Sequence, residues 1–257
     1  MKGFELVTGY EMPALGLGTW QLRSDTCTRS VRTALELGYE HIDTADMYRN
    51  HQAIRPVLQD YDTEEIFITT KIRRSALHHD EVLTFGDRAL QELGIDVIDL
   101  LLIHWPNPDI PVGETLSAMA KLVDQGKVRS IGVSNFMIHH LEEALKVTEK
   151  PIAVNQIKYH PYHNQQRLLE YCKDNDIQVT SYSSLGNGDL IGDEGLNRIA
   201  AKYEKNMPQV VLKWLLTKGI NVIPKSTNPD HIESNMNLFD WELDEEDFEA
   251  IDSMDSR

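Results

Sequence analysis

Cysteine, aromatic residues and long apolar runs are all scarce in this chain of 257 residues. Its two cysteines, Cys27 and Cys172, stand at no metal-ligand or redox spacing, which favours free thiols in a reducing compartment. The most apolar stretch, residues 97–103, contains Asp99 and is too short to span a bilayer. Residues 1–5 lack the apolar core of a signal peptide. We therefore expect a cytoplasmic protein with no membrane partner.

Basic residues are also few, with 25 Lys and Arg against 41 Asp and Glu and a formal net charge of -16. A field of this sign repels phosphate backbones, so we expect no nucleic-acid partner. The acidity is typical of solvated helix faces, and adaptation to a saline cytoplasm is the alternative interpretation. An anionic cofactor would need its own local cluster of bases.

One local pattern recurs along the chain: an amphipathic helix ends at a glycine, and an apolar strand follows within a few residues. The four glycines concerned are Gly38, Gly94, Gly126 and Gly219. Glycine just past a helix is typical of a left-handed cap, which a β-carbon disfavours. The strands are short, apolar and not clearly alternating, as in a parallel sheet that is covered on both faces.

This alternation of strands and helices predicts an α/β fold. We expect eight strands, near residues 14–18, 41–45, 66–71, 98–104, 129–135, 153–158, 178–183 and 221–225. Eight βα units in this length favour a closed (β/α)8 TIM barrel over an open Rossmann sheet. Residues 4–13 predict an N-terminal β-hairpin that covers the barrel floor. No linker-like segment interrupts the chain, so we expect residues 1–257 to form a single barrel domain.

Titratable side chains follow three consecutive predicted strands. Asp43 ends the second strand, Lys71 the third and His104 the fourth, and Tyr48 lies in the loop after Asp43. Active sites of (β/α)8 barrels lie at the C-terminal ends of the strands, so we expect these side chains to face one rim. Each also has an ordinary interpretation, as a cap, a surface lysine, a packed loop tyrosine or a core histidine. The occurrence of all four together favours a catalytic site.

The four residues have a coherent chemistry. A tyrosine with the ordinary pKa of about 10 is a poor acid at neutral pH, and a nearby ammonium lowers that pKa by stabilising the phenolate. We expect Lys71, held by an ion pair with Asp43, to act in this way on Tyr48. His104 would hydrogen-bond a substrate carbonyl. Tyr48 would then serve as a general acid beside a polarised carbonyl group.

Five longer segments occur in a fixed order: residues 15–20, 38–48, 99–106, 126–136 and 223–226. With these motifs the chain resembles the aldo-keto reductases, in the short microbial form, over nearly its whole length. The resemblance implies an NAD(P)H-dependent oxidoreductase that reduces small aldehydes and ketones, dicarbonyls among them, to alcohols without a metal. It also implies that the catalytic residues are Asp43, Tyr48, Lys71 and His104. Hydride would come from the nicotinamide and the proton from Tyr48.

The resemblance carries over to a cofactor site residue by residue. Ser134, Asn135 and Gln156 match residues that hold the nicotinamide carboxamide, and Tyr182 matches the residue that stacks on the nicotinamide ring. The other residues assigned to the cofactor are Thr19, then Ser183, Leu185 and Gly186 for the pyrophosphate, Lys225 and Ser226 for the 2′-phosphate, and Asn235 for the adenine. The substrate pocket would be walled by Trp20 and Trp105.

Three departures from the family pattern affect the cofactor site, one of them Ser234 in place of a frequent glutamate near the adenine. His231 stands where an arginine usually grips the 2′-phosphate, and Ser184 stands where the family usually has proline. We still expect NADPH as the cofactor because Lys225 and Ser226 are present. NADH should be accepted more weakly.

Pairs of histidines do not predict a metal site. His78–His79 and His139–His140 are adjacent and should point apart on a helix, while His160 and His163 flank a Pro-Tyr turn without a supporting acid or cysteine. We therefore expect no metal cofactor.

Two classes of function remain open from the sequence. The first is a monomeric enzyme whose partner is a small-molecule carbonyl substrate. The alternative is an NADP(H)-binding sensor or partner subunit that retains the barrel fold. The complete set of four catalytic residues favours the enzyme.

Overall fold

The structure, a computed structural model, describes residues 3–254. Its centre is an eight-stranded parallel sheet in which the strands pair in chain order. The barrel strands are β3 (Leu17–Gly18), β4 (His41–Asp43), β5 (Phe67–Ile72), β6 (Ile98–Ile103), β7 (Val128–Ser134), β8 (Ile152–Lys158), β9 (Gln178–Tyr182) and β10 (Asn221–Val222). A parallel bridge between Leu15 and Val222 joins the first strand to the last. The predicted (β/α)8 barrel is confirmed, and all eight predicted strands are present.

Helices surround this sheet. They are α1 (Ser24–Glu36), α2 (His51–Leu58), α3 (His79–Leu93), α4 (Val112–Asp124), α5 (Ile138–Val147), α6 (Gln166–Asp174), α7 (Glu194–Lys202), α8 (Met207–Thr217), α9 (Pro229–Ser234) and α10 (Glu245–Asp252). The four glycines predicted to cap helices all have left-handed φ angles, at 95° for Gly38, 70° for Gly94, 71° for Gly126 and 79° for Gly219. The cap prediction is therefore confirmed at each position.

The predicted N-terminal hairpin is confirmed, and it closes the barrel floor. Strands β1 (Gly3–Glu5) and β2 (Glu11–Pro13) pair antiparallel. Leu6 and Met12 from the hairpin form one buried cluster with side chains of the barrel strands, namely Phe67, Leu100, Leu102, Ala153 and Val154. Apolar burial of this kind stabilises by roughly 25 cal/mol per Å² removed from water. The floor is thus an apolar plug.

One irregularity in the sheet positions residues at the opposite end. The pairing of β7 with β8 shifts register between Ile131 and Val133. Gly132 lies there against the neighbouring backbone, since a β-carbon on it would stand 2.6 Å from the carbonyl oxygen of Val154. Beyond the shift, Ser134 pairs with Gln156. The close approach that only glycine permits thus brings these two polar residues side by side.

Two further sequence expectations concern cysteines and membrane segments. Cys27 and Cys172 are buried free thiols, as predicted. Across residues 3–254, the structure contains no helix with the length and apolar character that crossing a membrane requires.

Candidate active site

The four predicted catalytic residues converge at the C-terminal end of the barrel. Asp43 is the last residue of β4, Lys71 lies next to the end of β5, and His104 directly follows β6. Tyr48 ends a one-turn 3-10 helix, Asp46–Tyr48, in the loop after β4. Because parallel strands all end at the same rim, three strand ends and one loop bring these side chains together.

A buried ion pair lies at the base of this cluster. Lys71 Nζ donates to Asp43 Oδ1 at 2.5 Å and to the Thr44 carbonyl oxygen at 2.9 Å. The second oxygen of Asp43 accepts a hydrogen bond of 2.7 Å from Gln156 Nε2. Burial raises the pKa of Asp43 and lowers that of Lys71, while the attraction between the two charges opposes both shifts. Three hydrogen bonds thus hold a carboxylate and an ammonium that are almost wholly removed from water.

Tyr48 and His104 lie above the ion pair with their polar atoms unused. The two rings meet edge to face with centroids 5.7 Å apart, and Lys71 Nζ is 5.1 Å from the centroid of the Tyr48 ring. Neither the Tyr48 hydroxyl nor the His104 ring forms a hydrogen bond with any residue between 3 and 254. Such groups at the C-terminal rim of the barrel are suited to bind the oxygen of a ligand.

The expectation that Lys71 brings the pKa of Tyr48 below its ordinary value is wrong for this structure, because the net shift is upward. Burial raises the pKa of the phenol, and the negative charge of Asp43 raises it further. The physical reason is that a low-dielectric environment disfavours the phenolate, while the ammonium is already paired with a carboxylate. Tyr48 therefore keeps its proton. Burial and the charge of Lys71 also lower the pKa of His104 to about 3, so its imidazole is neutral.

The residues assigned to the nicotinamide carboxamide form one hydrogen-bonded group beside the cluster. Ser134 Oγ donates to the Gln156 carbonyl oxygen at 2.8 Å. Asn135, at a left-handed φ of 63°, donates through Nδ2 to the His104 carbonyl oxygen at 3.0 Å. Its Oδ1 accepts a hydrogen bond of 2.6 Å from the Tyr182 hydroxyl. The structure therefore brings all four assigned residues to the same rim.

The residues assigned to the pyrophosphate lie in the segment after β9, which has an unusual backbone. Ser183 and Gly186 have φ angles of 50° and 61°, and Asn187 and Gly188 continue with 57° and 104°. Left-handed residues next to right-handed ones turn backbone N–H groups toward one side, a geometry that suits anions. Leu185 is half-buried within this segment. Thr19, also assigned to the cofactor, is buried and donates through Oγ1 to the Asp43 carbonyl oxygen at 2.8 Å.

The residues assigned to the 2′-phosphate and adenine lie after β10. Lys225 is exposed and forms no ion pair within the described part of the chain, and Ser226 follows it. His231 is exposed on α9, while Asn235 is buried at the end of that helix, where its N–H donates to the His231 carbonyl oxygen at 3.0 Å. An unpaired cation beside a hydroxyl and the left-handed segment after β9 fit an anionic dinucleotide.

The mouth of the barrel carries exposed apolar side chains. Trp20 and Trp105, predicted as pocket walls, are 47% and 45% exposed. Met47, which the sequence analysis did not assign, is 56% exposed beside Tyr48. Asp46, the acidic residue at the start of the turn that carries Tyr48, was likewise not predicted from the sequence. Its position within residues 38–48, one of the five segments that resemble the family, was the sequence signal for it.

One local expectation about histidines is wrong. The rings of His139 and His140 do not point apart, since their centroids lie 3.9 Å from each other in the first turn of α5. Backbone geometry at a helix start differs from the helix interior, and the His140 ring turns back so that its Nδ1 accepts from the Met137 N–H at 3.2 Å. Between residues 3 and 254, no group of three or more His, Cys, Asp and Glu side chains has the arrangement of a metal site.

Comparison with known proteins assigns this geometry to a family. The model of the "Aldo/keto reductase family" matches residues 14–256. The chain belongs to the aldo/keto reductase family. It is accordingly an oxidoreductase of a family that generally uses NAD(P)H.

Relatives and solved structures of this family resemble the chain along nearly its full length. It is 40% identical to a glyoxal reductase of Bacillus subtilis, with 97% of this chain and 91% of the relative covered. It is also 40% identical to a methylglyoxal reductase of Escherichia coli O157:H7, with coverage of 95% and 93%. The crystal structure of an aldo-keto reductase from a Medee basin deep-sea metagenome library superposes with a TM-score of 0.96 at 39% identity, covering 98% of this chain and 95% of that one.

Proposed function

We propose that this protein reduces small aldehydes and ketones, dicarbonyls among them, to alcohols with NADPH as cofactor. The observation that carries the proposal is the pair of unused polar groups above a buried ion pair. Tyr48 and His104 adjoin each other, and neither forms a hydrogen bond within residues 3–254. A carbonyl oxygen bound between them would accept two hydrogen bonds.

Tyr48 is the proton donor in this proposal. Its raised pKa keeps the phenol protonated at neutral pH. An alkoxide is far more basic than a phenolate, so the Tyr48 hydroxyl transfers its proton to the carbonyl oxygen as that oxygen gains negative charge. NADPH, when bound, supplies the hydride that the carbonyl carbon receives. The Tyr48 phenolate then regains a proton from solvent.

Lys71 and His104 stabilise the charge that develops during this transfer. The Lys71 ammonium, 5.1 Å from the centre of the Tyr48 ring, stabilises the negative charge left on the phenolate. His104 is neutral, so it donates a hydrogen bond to the substrate oxygen without releasing its proton. Fixed donors in a site removed from water are worth more than the same donors in solution.

The preference for NADPH over NADH rests on the segment after β10. Lys225 offers an exposed cation and Ser226 a hydroxyl to the 2′-phosphate. Exposed His231 adds less charge than an arginine would at that position. We therefore expect NADH to be used, but more weakly than NADPH.

The open mouth of the barrel supports small reactive carbonyls as substrates. Trp20, Met47 and Trp105 are each about half exposed, so a bound substrate has few enclosing apolar walls to contact. Fewer contacts supply less binding energy to discriminate between substrates. Small reactive carbonyls need few contacts, and the relatives named glyoxal and methylglyoxal reductase agree with this class.

The Tyr48→Phe variant tests the proposal. We expect kcat for methylglyoxal to fall by about 10²- to 10⁴-fold, the usual contribution of a general acid. The dissociation constant for NADPH, measured by quenching of protein fluorescence, should be unchanged because the phenol does not contact the phosphates. Tyr10→Phe, which removes a hydroxyl from the hairpin at the barrel floor, is the matched control and should leave both quantities unchanged. Near-normal turnover by Tyr48→Phe would exclude the assigned role.

A further inference from the structure

We propose that Asp46, held between Arg73 and Arg88, is a positioning residue that fixes the Tyr48 phenol over Lys71. This inference rests on the proposed function, in which Tyr48 donates the proton. It concerns a residue that touches no reacting atom and acts only through the turn that carries Tyr48.

The turn itself is short and held by few bonds. Asp46–Tyr48 is a single 3-10 turn, closed by bonds from Tyr48 N–H to the Ala45 carbonyl oxygen at 3.0 Å and from Arg49 N–H to the Asp46 carbonyl oxygen at 3.2 Å. The Tyr48 hydroxyl has no hydrogen bond with any described residue that would fix it. The position of the phenol therefore depends on where the backbone of this turn is held.

The side chain of Asp46 anchors the turn from two directions. Its Oδ2 accepts a short hydrogen bond from Arg73 Nε, and its Oδ1 accepts one of 2.7 Å from Arg88 Nη2. The carboxylate is only 9% exposed, so these charge-assisted bonds are poorly screened by water. Both oxygens of Asp46 are thus used to tie the turn to its surroundings.

The two arginines link this turn to the elements that carry the other catalytic groups. Arg73 directly follows β5, two residues beyond Lys71. Arg88 belongs to α3, where its guanidinium lies 5.4 Å from the centre of the Phe85 ring. The bond from Arg73 therefore couples the turn of Tyr48 to the strand of Lys71, and Arg88 fixes both against a helix.

Asn50 holds the far end of the same loop. Its side chain accepts from Thr44 Oγ1 at 2.6 Å and donates to the carbonyl oxygens of Thr19 and Leu22 at 3.0 and 3.1 Å. Asn50 fixes the loop against β3, on the opposite side from Arg73. Asp46 is consequently the side chain that ties the Tyr48 turn directly to the strand that carries Lys71.

The Asp46→Asn variant tests the inference, because it removes the negative charge and replaces one of the two acceptor oxygens with an NH2 donor that faces an arginine. We expect kcat for methylglyoxal at saturating NADPH to fall by about 10- to 100-fold, as displacement of a reacting group by ~1 Å does. The NADPH dissociation constant should stay within about twofold of wild type, since no assigned cofactor residue contacts Asp46. Asp46→Glu, which keeps two acceptor oxygens, should recover part of the loss.

Asp87→Asn is the matched control. Asp87 lies on α3, the helix that carries Arg88, but away from the turn of Tyr48. Its Oδ1 forms an ion pair of 2.5 Å with Lys127 Nζ, which the substitution removes. We expect its kcat to equal that of wild type. If Asp46→Asn does not fold, Arg73→Gln removes one of the two anchors at a partly exposed position and should lower kcat in the same direction. Wild-type kcat in folded Asp46→Asn, or in Arg73→Gln, would overturn the inference.

A double substitution shows whether Asp46 acts through Tyr48. If it does, adding Asp46→Asn to Tyr48→Phe leaves the residual turnover unchanged, because the phenol to be positioned is already absent. A further loss of the same size as in the single variant would show a general structural effect and would contradict the inference. Wild-type kcat of Asp46→Asn with an inactive Tyr48→Phe refutes the inference alone. Full activity of Tyr48→Phe refutes the proposed function and the inference together.

Discussion

His41 and His104 lie at opposite ends of the barrel and titrate alike, but their surroundings differ. Burial, and then the charge of Lys71, lowers the pKa of each imidazole to about 3. His41 begins β4 and bonds through Nε2 to Thr69 Oγ1 at 3.0 Å, with its ring against Phe67. His104 follows β6 and has no hydrogen bond within the described residues. A perturbed pKa thus marks burial at both ends. Each imidazole also has a buried Nδ1 without a hydrogen-bond partner among residues 3–254, so His104 differs in that its Nε2 is unbonded as well and lies at the C-terminal end of the strands.

Two methionines at the two ends of the barrel differ in their exposure to solvent. Met12 in the hairpin is 0% exposed within the apolar cluster of the floor, whereas Met47 at the mouth is 56% exposed. The floor uses its apolar side chains for packing, and the mouth leaves them available to a ligand. Stability and function are therefore divided between the two ends of one barrel.

The largest expected effect separates the two histidines. His104→Leu should lower kcat/KM for methylglyoxal by about 10²- to 10³-fold, the loss typical of removing one donor to a developing oxyanion. His41→Leu should leave kcat/KM unchanged and lower the melting temperature instead, since it removes a buried hydrogen bond to Thr69. Steady-state kinetics and thermal unfolding of both variants measure this. Equal losses of activity in the two variants would contradict the assignment of His104 to the reaction and of His41 to stability.

Substituting alanine for each methionine should give the second largest effect. Met12→Ala should lower the free energy of unfolding by about 2–5 kcal/mol, because it opens a cavity in the floor cluster. Met47→Ala should change that free energy by no more than about 0.5 kcal/mol, as exposed substitutions usually do. Met47→Ala should instead raise KM for apolar aldehydes. Urea unfolding and aldehyde kinetics provide the two measurements. A Met12→Ala variant as stable as wild type would contradict the role of Met12 in the apolar cluster of the floor.

Acid should destabilise the fold through buried histidines at both ends of the barrel. The unfolded chain carries histidines with a pKa of 6.5, while the pKa values of His41 and His104 are lowered to about 3 and that of His160 to about 4 in the fold. Between these values the unfolded chain binds more protons, so the free energy of unfolding decreases as the pH falls from about 6.5 toward 3. His41→Leu and His104→Leu should each reduce the slope. The melting temperature measured against pH tests this, and an unchanged slope in both variants would be inconsistent with buried neutral imidazoles.

The smallest expected effect concerns the cofactor at the mouth. His231→Arg should tighten NADPH binding by about two- to fivefold, because an exposed ion pair contributes little. NADH lacks the 2′-phosphate, so its dissociation constant should not change and serves as the control. Fluorescence titration with both cofactors measures the difference. Equal tightening for NADH would mean that the new arginine does not contact the 2′-phosphate.

Sequence patterns were sufficient to predict the elements of the fold and the rim at which the candidate catalytic residues meet. The glycine caps and apolar strands are local signals, so all eight strands could be located. The strand ends then placed Asp43, Lys71 and His104 at one rim. The pairing between His139 and His140 could not be predicted, because the regular geometry of a helix interior does not hold in its first turn.

The sequence by itself determined the family, the barrel and the residue types at the strand ends, because these depend on periodicity and order along the chain. Only the tertiary structure decided how those residues behave. Gln156 reaches Asp43 across 113 positions in the chain, and burial rather than Lys71 dominates the pKa of Tyr48. Asp46 acquires its two arginines in the same way, from a strand end and a helix that fold against its turn. Distance and desolvation set these interactions, and both exist only once the barrel has closed.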